Sequence, residues 1–140
     1  MSPKQQERRF DPSYAQTLLD IAEGDFRTAE FTAQGFQDGK VRIENVFFLY
    51  QQAMEKALKA ALCHLEIAVP LVHDLGALLA KLPEDKQPDA GYEITQFNDF
   101  AGVRRYEEGT IIYEPEDLSD AHELTGRILS WAARIIRSDG

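Results

Sequence analysis

The stretch NVFFLYQQAMEKALKAALCHLEIA, residues Asn45 to Ala68, decides the fold. Val46, Leu49, Tyr50, Ala53, Met54, Ala57, Ala61, Leu62 and Leu65 recur at helical spacing, and Gln52, Glu55, Lys56 and Lys59 fall on the other side. Such a stripe predicts a long amphipathic helix with a wide buried face. At the α-helical rise it runs about 35 Å, enough to span a small domain. The rest of the chain must pack on it.

On the N-terminal side, Met1 to Arg9 is polar and predicted to fray. Asp11-Pro12 then offers a carboxylate cap and a proline suited to the first helical position. Tyr14, Leu18, Ile21, Ala22, Asp25, Phe26 and Ala29 carry a first helix to about Phe36. Gly24 inside it costs about 1 kcal/mol against alanine and leaves room for a neighbouring helix. Gly35, Asp38 and Gly39 end it in a short loop.

On the C-terminal side, Val69-Pro70 stops the central helix, and Asp74 caps a short helix over LGALLAKL. Pro83 to Pro88 reads as a charged loop. Ile94, Phe97, Phe100 and Ala101 predict a fourth helix from about Ala90 to Arg104–Tyr106. GTIIYE, residues 109–114, is the only β-flavoured run and reads as an extended linker. Pro115 opens the last helix, with Glu116 and Asp117 at its start and Arg134 and Arg137 near its end, each favourable to the helix dipole. Its apolar face is Leu118, Ala121, Leu124, Thr125, Ile128, Trp131, Ala132 and Ile135. Short connections favour antiparallel neighbours. The expectation is an all-α, up-and-down bundle of four long helices plus a short helix after His73, occupying residues 11–138 behind a flexible tail of residues 1–10.

The chain has 140 residues, 44% of them hydrophobic, which fits one folded domain. Fifteen Lys and Arg against 24 Asp and Glu leave a net charge of -9, which opposes nonspecific DNA binding. Cys63 is the only cysteine, so neither an intramolecular disulfide nor a Cys-based zinc site is available. The charged start lacks the apolar core of a signal peptide, and no apolar run approaches the roughly 20 residues that cross a bilayer. The reading is a cytoplasmic chain with no membrane association.

Searches for chemistry return little. GFQDGKV, residues 35–41, is one residue short of a phosphate loop and lacks its Ser or Thr, so a helix-ending turn is the better reading. No His-Glu-x-x-His, Gly-x-Ser-x-Gly or Glu-x-x-His occurs. His64, His73 and His122 lie on three different predicted elements, which favours packing histidines over a metal site. No cofactor, metal site or catalytic residue is predicted. Arg127, Arg134 and Arg137 beside Trp131 suggest a membrane-surface helix. The acidic first half of that helix favours packing on a core instead.

QQAMEKALKA at Gln51 to Ala60, Pro70 with His73-Asp74-Leu75, and Arg105-Tyr106 after the fourth helix together resemble the HEPN domain, the higher eukaryotes and prokaryotes nucleotide-binding domain. Leu18 to Ala33 resembles the family's first helix, so the likeness runs from about Pro12 to Arg137. It implies an all-α bundle, a homodimer, and a small nucleotidyltransferase partner in a toxin–antitoxin or substrate-binding role, with a nucleotide or RNA as ligand. Other members are ribonucleases that use an Arg followed about four to six residues later by a His. This chain departs from that pattern, since no arginine here has a histidine at that distance. Metal-independent cleavage then lacks an evident base.

Gln52, Lys56 and Lys59 share a helical stripe suited to a phosphate, or else form a solvated face with a Glu55–Lys59 pair. His73 is a ligand contact or a holder of the turn before the third helix. Arg104 and Arg105 grip anions best, unless they pair with nearby carboxylates, and Tyr106 offers a ring to stack on a base. Phe47 and Phe48 diverge by about 100°, so one of them faces a second surface such as a dimer partner. The leading expectation is a non-catalytic binding protein acting through these residues. The alternatives are a ribonuclease with an atypical site and a purely structural dimeric module.

Overall fold

The structure, a computed structural model, describes residues 6–37, 39–91, 93–97 and 115–138. Its helices are α1 (Ala15–Gln37), α2 (Ile43–His64), α3 (Leu75–Ala80) and the last helix, α4 (Pro115–Ser138). Short 3-10 turns precede α1 at Pro12–Tyr14 and follow α3 at Glu84–Lys86. Residues 93–97 are also helical and begin the predicted fourth long helix. Its continuation through Arg104, Arg105 and Tyr106, and the GTIIYE segment, lie outside the described residues. The fold is an all-α bundle.

Local chemistry sets the helix ends. Asp11 accepts hydrogen bonds from the Ser13 hydroxyl at 2.7 Å and the Ser13 N–H at 2.9 Å. Those two donors hold its carboxyl below the usual range. At the other end of α1, Gly39 adopts φ 73°, its N–H reaches Phe36 O at 2.9 Å, and the Lys40 N–H reaches Gly35 O at 2.9 Å. That is a Schellman turn, for which glycine is the natural residue. A Cβ on Gly35 would meet Val41 Cγ2 at 2.6 Å, so the turn needs a glycine there too.

Helix α2 closes the same way on a less obvious residue. Glu66 takes φ 62°, with its N–H on Cys63 O at 3.1 Å and the Ile67 N–H on Leu62 O at 2.9 Å. The helix therefore ends at His64, short of the Ala68 suggested by its apolar content. The Arg9 guanidinium donates to Glu66 O at 3.0 Å and holds this left-handed residue in place.

The segment expected to fray is tied down from Gln6 onward. Glu7 pairs with Pro70 and Arg8 with Val69 in an antiparallel ladder. The Leu71 N–H donates to Gln6 O at 2.9 Å, and Lys81 Nζ sits 2.9 Å from Glu7 Oε1. Phe10 packs against the core and lies 4.9 Å beneath the Arg8 guanidinium. A buried two-residue strand at Val69–Pro70 would otherwise leave backbone groups unpaired.

Cross-links give the helix directions. Arg137 Nη2 meets Glu23 at 3.0 Å, and His122 Nε2 meets Glu30 at 3.1 Å, so α4 runs antiparallel to α1. The short turn after α1 makes α2 antiparallel to it as well. Helices α2 and α4 therefore run the same way, and an up-and-down bundle needs a returning helix between them. Residues 93–97 start that return, with Phe97 packed on Phe47 at a ring separation of 6.4 Å.

Helix α2 is the axis of the core. Val46, Met54, Leu58 and Leu62 on α2, Leu19 on α1, Leu75 and Leu78 on α3, and Ile128 on α4 are all at 0% exposure. Phe47 is buried and Phe48 is 39% exposed, so the two adjacent rings do face different ways. Cys63 is buried and donates its S–H to Asp11 O at 3.2 Å, and burial pushes its pKa up.

Tyr50 sits where α1, α2 and α4 meet, with Phe26 at 6.1 Å and His122 at 6.0 Å between ring centres. Burial, reinforced by the Glu30 carboxylate, pushes its hydroxyl up to about 12. The folded state thus holds this proton more tightly than the unfolded chain. Stability contributed by Tyr50 is complete below the unfolded pKa near 10 and is lost as pH rises toward about 12, a total of about 2–3 kcal/mol. Denaturant melts between pH 9 and 12 should show that loss in the native chain and a shallower one in Tyr50→Phe.

Candidate functional site

The residues on the outer edge of α2 form a closed electrostatic network. Lys56 Nζ lies 2.6 Å from Asp25 Oδ2 on α1 and 3.5 Å from Gln52 Oε1 one turn earlier. Lys59 Nζ lies 3.0 Å from Glu55 Oε2, and His73 Nδ1 lies 3.0 Å from Glu55 Oε1. Gln52, Lys56 and Lys59 share one edge, as the helical spacing suggested, and Glu55 joins His73 to it. Both ammonium groups have carboxylate partners, and the edge is close to neutral. Arg104, Arg105 and Tyr106 lie outside the described residues.

One residue on this edge was placed wrongly by periodicity alone. Glu55 is only 3% exposed, although the apolar stripe put it toward solvent. Gln51 is 6% exposed, and its side-chain oxygen has no hydrogen-bond partner among the described residues. Phe47, Gln51, Glu55, Leu58 and Leu62 step by three or four residues along one row of α2, and all five are buried. That row is the readable signal: a polar residue flanked above and below by buried apolar ones is buried with them. His73 is itself well exposed, so Glu55 holds its Nδ1 and leaves the remainder of the ring at the surface. Asp74 caps α3 as expected, accepting from Gly76 N at 2.8 Å and Ala77 N at 3.2 Å.

A second feature lies on α4. Arg127 and Arg134, two turns apart, line a groove of about 480 Å³ with Gln87, Pro88, Asp89, Glu123, Ser130 and Trp131. Neither arginine makes an ion pair or hydrogen bond among the described residues. The groove is built by Trp131, whose indole N–H donates to Lys86 O at 3.0 Å and fixes the 84–90 segment against α4. Trp131 is buried, so the arginine-bearing side of α4 is the rim of a core-packed helix. Next to it, Glu93, Gln96, Phe97, Asp117, Asp120 and Glu123 line an acidic hollow, and Arg127 stands on the boundary of the two. The sequence showed these arginines only as charges near a helix end; their convergence with residues 87–89 depends on the tertiary fold.

Chemically, two unpaired guanidinium groups can hold a phosphate in bidentate fashion. Asp89 and Glu123 accept hydrogen bonds and suit the hydroxyls of a ribose or the amino group of a base. Among the described residues no group of three or more His, Cys, Asp or Glu is placed to hold a metal ion. No helix among them is long and apolar enough to cross a membrane.

Searches of curated proteins and of solved structures return no match to the chain. The family model described as HEPN domain matches residues 15–136, from the start of α1 to the last turn of α4. It covers the whole bundle, including both the α2 edge and the α4 groove. The chain belongs to the HEPN domain family.

Proposed function

We propose that this HEPN protein is a non-catalytic, cytoplasmic binding protein that takes a nucleotide in the α4 groove and presents it to, or withholds it from, a small nucleotidyltransferase partner. The observation that carries this reading is the pair Arg127 and Arg134, on one groove and without a partner among the described residues, in a chain of net charge -9. Against that acidic background, two arginines that share a groove and make no ion pair among the described residues are a natural seat for a phosphate, with Asp89 and Glu123 beside them. Lys56 and Lys59 are neutralised by Asp25 and Glu55, so they serve the bundle before they serve a ligand. A toxin–antitoxin pairing and a homodimer belong to the same reading.

Calorimetry with ATP, GTP, ADP and AMP tests it. Binding of at least one nucleotide is expected, weakened about ten- to a hundredfold in Arg127→Ala or in Arg134→Ala, as loss of one charge-assisted contact costs about 1.5–3 kcal/mol. Lys56→Ala should leave the affinity within about twofold. Absence of heat with every nucleotide would contradict the reading.

One observation favours the ribonuclease alternative. A buried carboxylate on Nδ1 fixes the orientation of an exposed imidazole, as in sites where histidine moves a proton. RNA cleavage by the native protein that disappears in His73→Gln would establish that alternative over the binding role.

A further inference from the structure

Helix α1 packs on α2 and α4 with one side and leaves the other bare. Thr17, Ile21, Gly24, Thr28 and Phe31 step by three and four residues along that bare side, which is the heptad seam spacing, and Tyr14 in the 3-10 turn before α1, stacked on Phe10, continues the row. All six are exposed, and three carry large apolar groups: Phe31 at 77%, Ile21 at 40% and Tyr14 at 38% exposure. No charge interrupts the row, in a chain where 28% of residues are charged. At its middle, a Cβ built on Gly24 meets nothing within 4 Å, so none of the described residues uses the space that the glycine leaves.

The charges beside the row are self-complementary. Asp20 and Arg27 lie two turns apart on the same flank, placed symmetrically about Glu23–Gly24. Among the described residues, Asp20 is held only by the Gln16 amide at 2.9 Å and Arg27 has no partner. A two-fold axis through that midpoint sets Asp20 of one copy level with Arg27 of the other, twice over, as an isologous contact requires. Parallel pairing would set like charges against each other. In the antiparallel arrangement Phe31 lies level with the partner's Gln16, between the seam residues Tyr14 and Thr17, and the two helices approach closest at Gly24. Glu23 and Glu30 point away from the seam, toward Arg137 and His122 on α4.

We infer that α1 is the self-association surface of this protein, pairing antiparallel with α1 of a second copy. This rests on the homodimer part of the reading above and names its surface. It gives Gly24 a role: the glycine weakens the isolated helix, by about 1 kcal/mol against alanine, and admits the second helix.

Sedimentation equilibrium between 1 and 200 µM tests the inference. The native chain should behave as a dimer, while Phe31→Glu and Ile21→Glu should be monomeric with unchanged helical circular dichroism, since both residues are exposed. Asp20→Arg should weaken the dimer at least tenfold, and the swap Asp20→Arg with Arg27→Asp should restore it. A native dimer that survives Phe31→Glu and Asp20→Arg would overturn the α1 surface while leaving dimerisation intact. A native monomer at 200 µM would overturn both.

Discussion

Replacing Trp131 by alanine is expected to remove about 3–5 kcal/mol of stability, the largest loss among the substitutions considered for this chain. Trp131 is buried, and its ring fills the space between α4 and the 84–90 segment. Truncation leaves a cavity there and strands the Lys86 carbonyl, which now accepts the indole N–H at 3.0 Å. For a domain of this size the midpoint of thermal unfolding should fall by roughly 10–15 °C. Trp131→Phe keeps most of the volume and loses the hydrogen bond, so it should cost about 1–2 kcal/mol. The two variants separate packing from hydrogen bonding. Equal losses in both would mean that the hydrogen bond, and not the ring, fixes the segment. Because the 84–90 segment forms one wall of the groove, Trp131→Phe should also loosen nucleotide binding more than its stability loss alone implies.

The second large effect is expected at Glu55. Its carboxylate is buried and serves two partners on different elements, Lys59 one turn on and His73 in the turn before α3. Glu55→Ala removes both contacts and leaves a half-buried ammonium without a counter-charge. Breaking a buried pair on one side costs several kcal/mol. His73 is largely in water and recovers its hydrogen bond there, so about 2–3 kcal/mol is expected in total. Glu55→Gln retains the shape and one acceptor and should lose about half as much. Lys59→Met, which removes the charge and keeps the stem, should cost at least as much as Glu55→Ala, because it leaves the more deeply buried carboxylate without its ammonium partner. Urea melts of the three variants provide the comparison. A Glu55→Ala loss below 0.5 kcal/mol, an amount typical of exposed sites, would show that the carboxylate does not tie α2 to the turn before α3.

The bundle was readable because each long helix announces itself by an apolar stripe. Asp11, Gly39 and Asp74 mark helix ends through the hydrogen bonds that their positions need. Two boundaries were not readable for equally physical reasons. Glu66 closes α2 in a left-handed conformation normally given to glycine, and a tertiary hydrogen bond from Arg9 holds it. Glu7 and Arg8 look like a frayed end until Val69 and Pro70 offer them a strand edge. Neither partnership leaves a local trace in the sequence.

The polar edge of α2 was half legible. Helical spacing correctly gathers Gln52, Lys56 and Lys59, but it cannot show that Asp25, on another helix, neutralises Lys56. Nor does a one-sided stripe describe a helix covered on nearly every side, which is why Glu55 was assigned to solvent and the burial of Gln51 was not foreseen. The α4 groove was illegible for the opposite reason. Arg127 and Arg134 look like ordinary exterior charges until residues 87–89 are folded beside them.

The reading of this HEPN protein as a nucleotide binder stands on where a nucleotide touches it. Backbone and arginine side-chain NMR spectra of the native protein, recorded as ATP is added, answer that directly. The account predicts saturable shifts at the Arg127 and Arg134 guanidinium N–H signals and at residues 87–89, with little movement at Lys56 and Lys59. Shifts confined to the α2 edge around Lys56, Lys59 and His73, or none anywhere at millimolar ATP, would contradict it.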